Sequence, residues 1–381
     1  MSSVSLYLND KKPKPIEAHR PSLSKRELES VLDCLIQDRL SQGDITRRFE
    51  RGFANAFGYK HVLAVNSLAA AYHLSYLALG LEKDSPVVMS AIAPIQALDG
   101  ARYAGTTPVL VDVDRGSFHP APEAVYEKID QLRGAHTEPE TAPDAPIENA
   151  ANVVFIMDHT FGSVSPIDAA ELQNRGAKII EDFTGLVGSD RDGEYFGKSG
   201  HLAVCGLSEY DLLTTGNGAV IVTQDPKLYR VLHALRYGAK RDEGSIAFDY
   251  GLEDFQAAMG LDQLSRLGVT LARRKKIAQK YLETLRTTRH EAYFKSMGVD
   301  GYLRFPVVIN KSHDEVLRYF ASLQIGVGRA VENPLHHILG LARLEFPNAE
   351  RIYQKSVTIP IYPALTANNV ERIAMSLRGL I

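Results

Sequence analysis

Side chains able to do chemistry follow several apolar segments of this chain. Asp158 and His159 come directly after NVVFIM, Asp182 closes AKIIED, and Asp211 follows HLAVCGL after a Ser-Glu-Tyr spacer. Carboxylates gathered in one cleft push a pKa upward and can serve as an acid/base pair. They also attract a cationic amine or a hard divalent metal, which prefers oxygen ligands. Asp249 adds an acid further along, and Glu209 sits beside Asp211. His336 and His337 form a further pair. Neighbours in sequence point apart on a helix or strand, so no joint metal site is expected from them.

The elements that must carry these residues are legible from periodicity. Ser24 and Glu27 make a capping-box pattern before Leu28, Val31, Leu32, Leu35 and Ile36, which recur at helical spacing. A second helix follows Asp44 and stops at Gly58. HVLAV, PVVM, PVLVDV, NVVFIM, AKIIED, HLAVCGL and AVIVT read as strands with helices between most of them. That alternation predicts an α/β fold, a mostly parallel sheet with helices on both faces. Ligands in such sheets bind beyond the carboxyl ends of the strands, where the acids above lie. The Pro/Ala/Glu-rich stretch over 134–151 reads as an exposed loop.

Past Asp225 the pattern turns helical, with a long helix predicted from Glu253 to Leu285. Its Arg273-Arg274-Lys275-Lys276 run reads as a solvated face. The strand LRFPVVI, a helix capped by Ser312 and a last helix after Thr366 complete a small α+β unit. The expected division is 1–240, a large α/β domain with an N-terminal arm and helices, and 241–381, the long helix and the small domain.

Composition excludes other classes. With 43 Lys+Arg against 46 Asp+Glu, the net charge of −3 gives no footprint for nucleic acid or an anionic membrane. Two cysteines are too few for a disulfide framework or a cysteine zinc site. The opening residues lack a signal-peptide core and no apolar run reaches membrane-span length, so a cytoplasmic protein is expected.

Several segments together resemble the DegT-type sugar aminotransferases, pyridoxal-phosphate enzymes of fold type I. They are SQGDITRRFERGFANAFG, GARYAGTTPVLVDVD, IIEDFTGLVGSDRDGEYFGKSG, LTTGNGAVIVT, LEDFQAAMGLDQLSRL and FPNAERIYQKSVTIPIYPALT. They follow the family's order over nearly the whole chain. The resemblance implies that fold, an active site built across a two-fold dimer interface, and a lysine that joins the cofactor aldehyde as an imine.

That lysine is expected three residues before the Thr-Thr-Gly turn, where this chain has Asp211, and no lysine lies between Cys205 and Gly218. A carboxylate cannot form an imine. By the same correspondence Ala69 replaces the threonine of the phosphate-binding turn that still holds Ser67. Gly206 replaces a serine, Pro94 an aromatic that stacks on the cofactor ring, and Gly185 a glutamine or histidine. Asp249 stands where the partner subunit lends an asparagine. A carboxylate about 4 Å from a phosphate repels it by roughly 4 kcal/mol at an effective dielectric near 20. Asp182 keeps the position of the aspartate that pairs with the pyridinium nitrogen, and His159 that of a His-x-x-Gly turn. Covalent attachment of pyridoxal phosphate is therefore not expected, and no cofactor is predicted.

Three functions follow from these residues. One is a pseudo-aminotransferase, a binding or partner subunit in sugar or secondary-metabolite biosynthesis. It would be a homodimer, or a heteromer with an active paralogue, with a small-molecule or nucleotide-sugar ligand. Another is a cofactor-independent enzyme using Asp182, Asp211 and His159 for acid/base chemistry. The third is a transaminase using a lysine from elsewhere. Arg236, in a family-like Arg-x-x-Gly turn, is expected to be structural or at the subunit boundary.

Overall fold

The computed structural model describes residues 14–134, 152–237, 246–294, 299–309 and 311–380. Most of the loop expected over 134–151 lies outside them. Two helices come first, α1 (Lys25–Ile36) and α2 (Asp44–Phe57). The strand–helix alternation follows: β1 (His61–Val65), α3 (Leu68–Ala78), β2 (Pro86–Ser90), α4 (Ile95–Tyr103), β3 (Thr107–Val111) and α5 (Pro122–Gly134). Next are β4 (Val154–Asp158), α6 (Ala169–Asn174), β5 (Lys178–Asp182), the small hairpin β6 (Asp190–Arg191) and β7 (Glu194–Tyr195), β8 (Leu202–Gly206) and β9 (Ala219–Thr223). Helices α7 (Pro226–Tyr237) and α8 (Asp254–Leu285) lead to β10 (Phe305–Val308), α9 (His313–Ser322), β11 (Gly328–Arg329), α10 (Leu335–Ile338), α11 (Pro347–Lys355), β12 (Ser356–Ile359) and α12 (Ala367–Gly379).

Seven strands form one sheet in the order β1-β9-β8-β5-β4-β2-β3. The pairs from β3 through β8 are parallel, and β9 runs antiparallel to both β8 and β1. Side chains alternate across a strand, and the apolar clusters follow that rule. Ile156 and Ile180 pack with Tyr72 and Ala97 of α3 and α4. Phe155 and Ile179 pack with Val125 and Leu172 of α5 and α6. The sheet is thus covered on both faces, as the sequence pattern predicts.

Helix α8 is tied to the N-terminal helices by buried acids. Its first residue, Asp254, accepts hydrogen bonds from the N–H groups of Gly43 at 2.8 Å and Thr46 at 2.9 Å, capping α2 from outside. Glu27 completes the capping box of α1 and also accepts from Gln263 at 2.8 Å and Arg266 at 2.6 Å. The apolar stripe of α1 does not enter this core. Glu27 and Cys34 are its buried residues, while Leu28, Leu32, Leu35 and Ile36 are exposed. Arg236 is structural: buried on α7, it pairs with Glu50 of α2 at 2.7 Å, and Glu50 accepts from the Ala64 N–H of β1 at 2.8 Å.

Helices α3 and α4 meet at Gly100, where an added Cβ would lie 2.7 Å from Tyr72 Cβ and 2.9 Å from the His73 nitrogen. Both neighbours are fixed to backbone, so Gly100→Ala forces the helices apart. A loss of about 1–3 kcal/mol is expected, as for overpacked cores, measured by urea unfolding. An unchanged midpoint would show that the helices part freely.

Candidate functional site

The carboxyl ends of β4, β5 and β8 bring Asp158, Asp182 and the loop bearing Asp211 together. Asp158 and Asp182 are direct register partners. They lie on the α3 face of the sheet with Ile156 and Ile180, by the alternation of the strand. Tyr72 of α3 donates its hydroxyl to Asp182 Oδ2 at 2.6 Å. Thr184 donates to Asp182 Oδ1 from its N–H at 2.9 Å and its hydroxyl at 2.5 Å. Asp182 thus closes the turn after β5 with its own side chain, an Asx turn. Thr184 Oγ1 in turn accepts the Gly206 N–H at 2.8 Å, which links β5 to β8.

Asp211 folds back over this link. Its N–H donates to the Ser208 carbonyl at 3.1 Å and its Oδ2 accepts the Ser208 N–H at 2.7 Å, so the side chain caps its own loop. A Cβ placed on Gly206 would stand 2.9 Å from Asp211 Oδ2 and 3.3 Å from both Leu68 Cδ2 and Thr184 Cγ2. A serine at 206 and this carboxylate therefore compete for one space. Leu68 opens α3, so the same contact brings the Asn66–Ala69 turn against the Asp211 loop.

Burial dominates the electrostatics, and at Asp211 the Arg304 charge opposes it only in part. Desolvation pushes Asp211 up to about 6, against the Ser208 hydrogen bonds and with help from the Asp182 charge. Desolvation likewise pushes Asp158 up to about 6, opposed by a hydrogen bond from Thr160 and aided by Asp182. Asp182 is raised by the same burial, offset by Thr184 and Tyr72. The Asp182 charge thus acts on both Asp158 and Asp211.

His159 does not join them. It faces the opposite side of the sheet, where its Nε2 meets Glu181 Oε1 at 3.3 Å and its Nδ1 accepts the Ser165 N–H at 3.0 Å. Both ring nitrogens are occupied, the Nδ1 as an acceptor, so the proton sits on Nε2 toward Glu181. The even-numbered Asp158, not its neighbour, completes the acid group. Period-two alternation carried that signal, since 158 and 182 pair across parallel strands while 159 falls on the other face.

The other expected contacts are spread around this centre. Ser67 caps α3, its hydroxyl accepting the Ala70 N–H at 3.1 Å. Ala69 lies half-buried in the first turn of α3, and Pro94 stands half-buried before α4. Asp249 is exposed, and its carbonyl accepts from Asn66 Nδ2 of the same chain at 3.3 Å. Exposure raises the effective dielectric toward that of water, so its charge would weaken a nearby anion by nearer 1 than 4 kcal/mol, about. Gly185 has no room for a side chain: a Cβ there would lie 2.6 Å from the Gly162 backbone. Of the lysines nearest in sequence, Lys198 sits 5.9 Å over the Tyr59 ring and Lys227 is exposed at the start of α7.

His336 and His337 correct the expectation that they point apart. They occupy a helix of one turn, where neighbours are only about 100° apart, and both Nε2 atoms reach Glu350 Oε1, His336 at 3.1 Å. Gln354 donates to the other oxygen at 2.8 Å. Burial would raise Glu350, but hydrogen bonds from His337 and His336 outweigh it and hold it near 2. These ligand atoms lie within 4.8 Å of one another. Proton accounting favours hydrogen bonding over metal binding. A metal on Nε2 would leave the His336 proton on Nδ1, which is buried with no partner.

Two residues of the site escaped the sequence reading. Arg274 belongs to the basic run read as solvated, yet it is 6% exposed, and it lies on the buried stripe of Leu267, Leu271, Ile277, Ala278 and Tyr281. Helical spacing of that stripe was the available signal. Arg304 precedes β10 and carries no local pattern that would single it out.

The DegT/DnrJ/EryC1/StrS aminotransferase family matches residues 21–378. This chain belongs to that family. A curated relative from Methanocaldococcus jannaschii, the uncharacterized protein MJ1066, is 25% identical over 95% of this chain and 96% of its own length. The aminotransferase TlmJ from Streptoalloteichus hindustanus superposes with a TM-score of 0.82 at 24% identity, covering 96% of this chain and 98% of that one. Spr1654 of Streptococcus pneumoniae, described as a sugar aminotransferase in its PLP form, gives a TM-score of 0.82 at 18% identity over 96% and 98%. The DegT/DnrJ/EryC1/StrS fold is thus shared from end to end. Among the described residues no helix is long and apolar enough to cross a membrane.

Proposed function

We propose that this chain is a pseudo-aminotransferase. It keeps the family's scaffold and acts as a binding or partner subunit, in sugar or secondary-metabolite biosynthesis, without cofactor chemistry. The observation that carries this reading is the Asp211 carboxylate, folded over Gly206 and held by Ser208 where the family resemblance calls for an amine. The residues around it do not fit covalently held pyridoxal phosphate. No lysine stands between Cys205 and Gly218. The Ser67 hydroxyl accepts the α3 cap bond and keeps its own donor, whereas Ala69 offers no hydroxyl.

Dimerisation belongs to the same reading. The exposed Leu28, Leu32, Leu35 and Ile36 stripe is an unpartnered apolar helix face of the kind that subunit contacts cover. In this account 1–240 and 241–381 are the two units, with α8 bonded to the N-terminal helices. A second function is favoured by the grouping of acids at the ends of β4 and β5 and in the loop after β8, where burial pushes Asp158 and Asp211 up to about 6. They could exchange protons with a ligand, with Asp158 taking the place first given to His159.

Absorbance of the purified protein tests the first reading. Added pyridoxal phosphate is expected to produce no new visible-edge band, and borohydride is expected to fix none of it to the chain. A borohydride-stable adduct on any lysine overturns it. Turnover of a nucleotide sugar or amine that is lost in Asp211→Asn selects the acid/base reading instead.

A further inference from the structure

Beside the acid group lies a small basic cavity. It is bounded by the N-terminal segment (His19, Arg20), Tyr210 of the Asp211 loop, Arg274 of α8, Arg304 and Tyr362. Its empty space, which opens to solvent, is about 300 Å³. His19 stacks on Tyr210 with ring centroids 5.4 Å apart, which closes one side.

The charges here are met by no direct ion pair among the described residues. Arg274 is 6% exposed and donates from Nη1 to the carbonyls of Tyr302 at 3.2 Å and Leu303 at 3.1 Å. Its Nε is buried with no acceptor. Among the described residues no carboxylate lies within ion-pair distance of Arg274 or Arg304. A buried cation left unpaired costs several kcal/mol. The groups that face it are Asp211, which both arginines influence, and Glu332, which acts on His19. Burial together with Arg304 and Arg274 lowers the His19 pKa, so the cavity is positive even with the imidazole neutral.

We propose that this cavity is an anion subsite, in which Arg274 and Arg304 hold the carboxylate or phosphate head of a small ligand whose remainder faces Asp211. Arg274 supplies a pre-positioned guanidinium, already fixed by two carbonyls, and Arg304 supplies a second. Planar guanidinium groups match both anions by paired N–H donors. The neighbouring acids suit an ammonium or hydroxyl on the rest of the ligand. The inference deepens the proposed binding role of the same pocket and rests on that role for the ligand's place, while the absorbance assay above tests the role separately.

The test is calorimetric titration of the full chain with inorganic phosphate, acetate and glycine, in a buffer without competing anions. Binding of at least one probe is expected, weakened at least tenfold in Arg304→Gln. Phosphate alone assigns a phosphate ester. Acetate and glycine assign a carboxylate, and tighter binding of glycine than acetate, lost in Asp211→Asn, places its ammonium at Asp211. Arg274→Lys keeps the charge without the fork and is expected to weaken binding while the fold, read by circular dichroism, persists. No heat with any probe at about 10 mM, where even affinities worth about 4 kcal/mol would register, overturns the subsite. So does binding that Arg304→Gln leaves intact. Either result leaves the missing covalent cofactor untouched, whereas a borohydride-fixed adduct removes that reading without bearing on the arginines.

Discussion

On the pseudo-aminotransferase reading proposed above, Asp211→Lys, which places an amine in the loop after β8, is expected to give no measurable transamination. The new side chain enters a space within the field of Asp182, with Leu68 and Thr184 close to Gly206. The acid Asp182 favours the charged form of such an amine, while burial and Arg304 oppose it. On the same reading the phosphate cup would also be incomplete. The Ser67 hydroxyl accepts from Ala70, and residue 69 is an alanine. Pyridoxal phosphate is therefore expected to bind the single variant no better than about millimolar. Adding Gly206→Ser and Ala69→Thr, which the departure of Asp211 makes sterically possible at 206, is expected to tighten binding at least tenfold, about 1.4 kcal/mol. Fluorescence titration with the cofactor reads both. Micromolar binding by Asp211→Lys alone would mean that the changes at 69 and 206 matter little.

The second large effect is on stability against pH. Asp158 and Asp211 are each raised from 3.8 to about 6 by burial. A carboxyl whose folded pKa exceeds its unfolded value binds more protons when folded. Its contribution is therefore most favourable below about pH 4 and declines as pH rises to about 6, after which the penalty is constant. Two units correspond to roughly 3 kcal/mol per group as an upper bound, because the acids share one another's field and relax together. Asp211→Asn keeps an oxygen for the Ser208 N–H and removes the charge. It is expected to stabilise the protein by about 1–3 kcal/mol at pH 7.5 and by only about a third of that at pH 4.5, measured by urea unfolding at both values. Glu350, held near 2, contributes stability that is lost as pH falls from about 4.5 to about 2, and because both proteins carry it, it cancels from the comparison. Equal destabilisation of Asp211→Asn at both pH values would contradict the assigned burial.

Local signals carried much of the architecture because they are local in their physics. The Ser24–Glu27 box, the left-handed Gly58 and the Ser312 and Thr366 caps all appear as read. Each depends on hydrogen bonds within one turn. The antiparallel direction of β9 was not readable, since strand composition does not encode which neighbour a strand pairs with. Nor was the exposure of the α1 stripe, because periodicity reports an apolar face and not what covers it.

For the site, the amino-acid sequence by itself determined the chemistry that is possible: an acid at 211, no amine within that loop, and acids at the ends of two strands. Those follow from residue identity alone. Tertiary structure decided which of these groups meet. Pleating put Asp158 with Asp182 and turned His159 toward Glu181. A one-turn helix let His336 and His337 share Glu350. A buried stripe on α8 drew Arg274 inward from a basic run, toward Arg304, a residue 30 positions along the chain. Convergence of side chains from distant elements depends on packing between those elements, and no single segment contains that information.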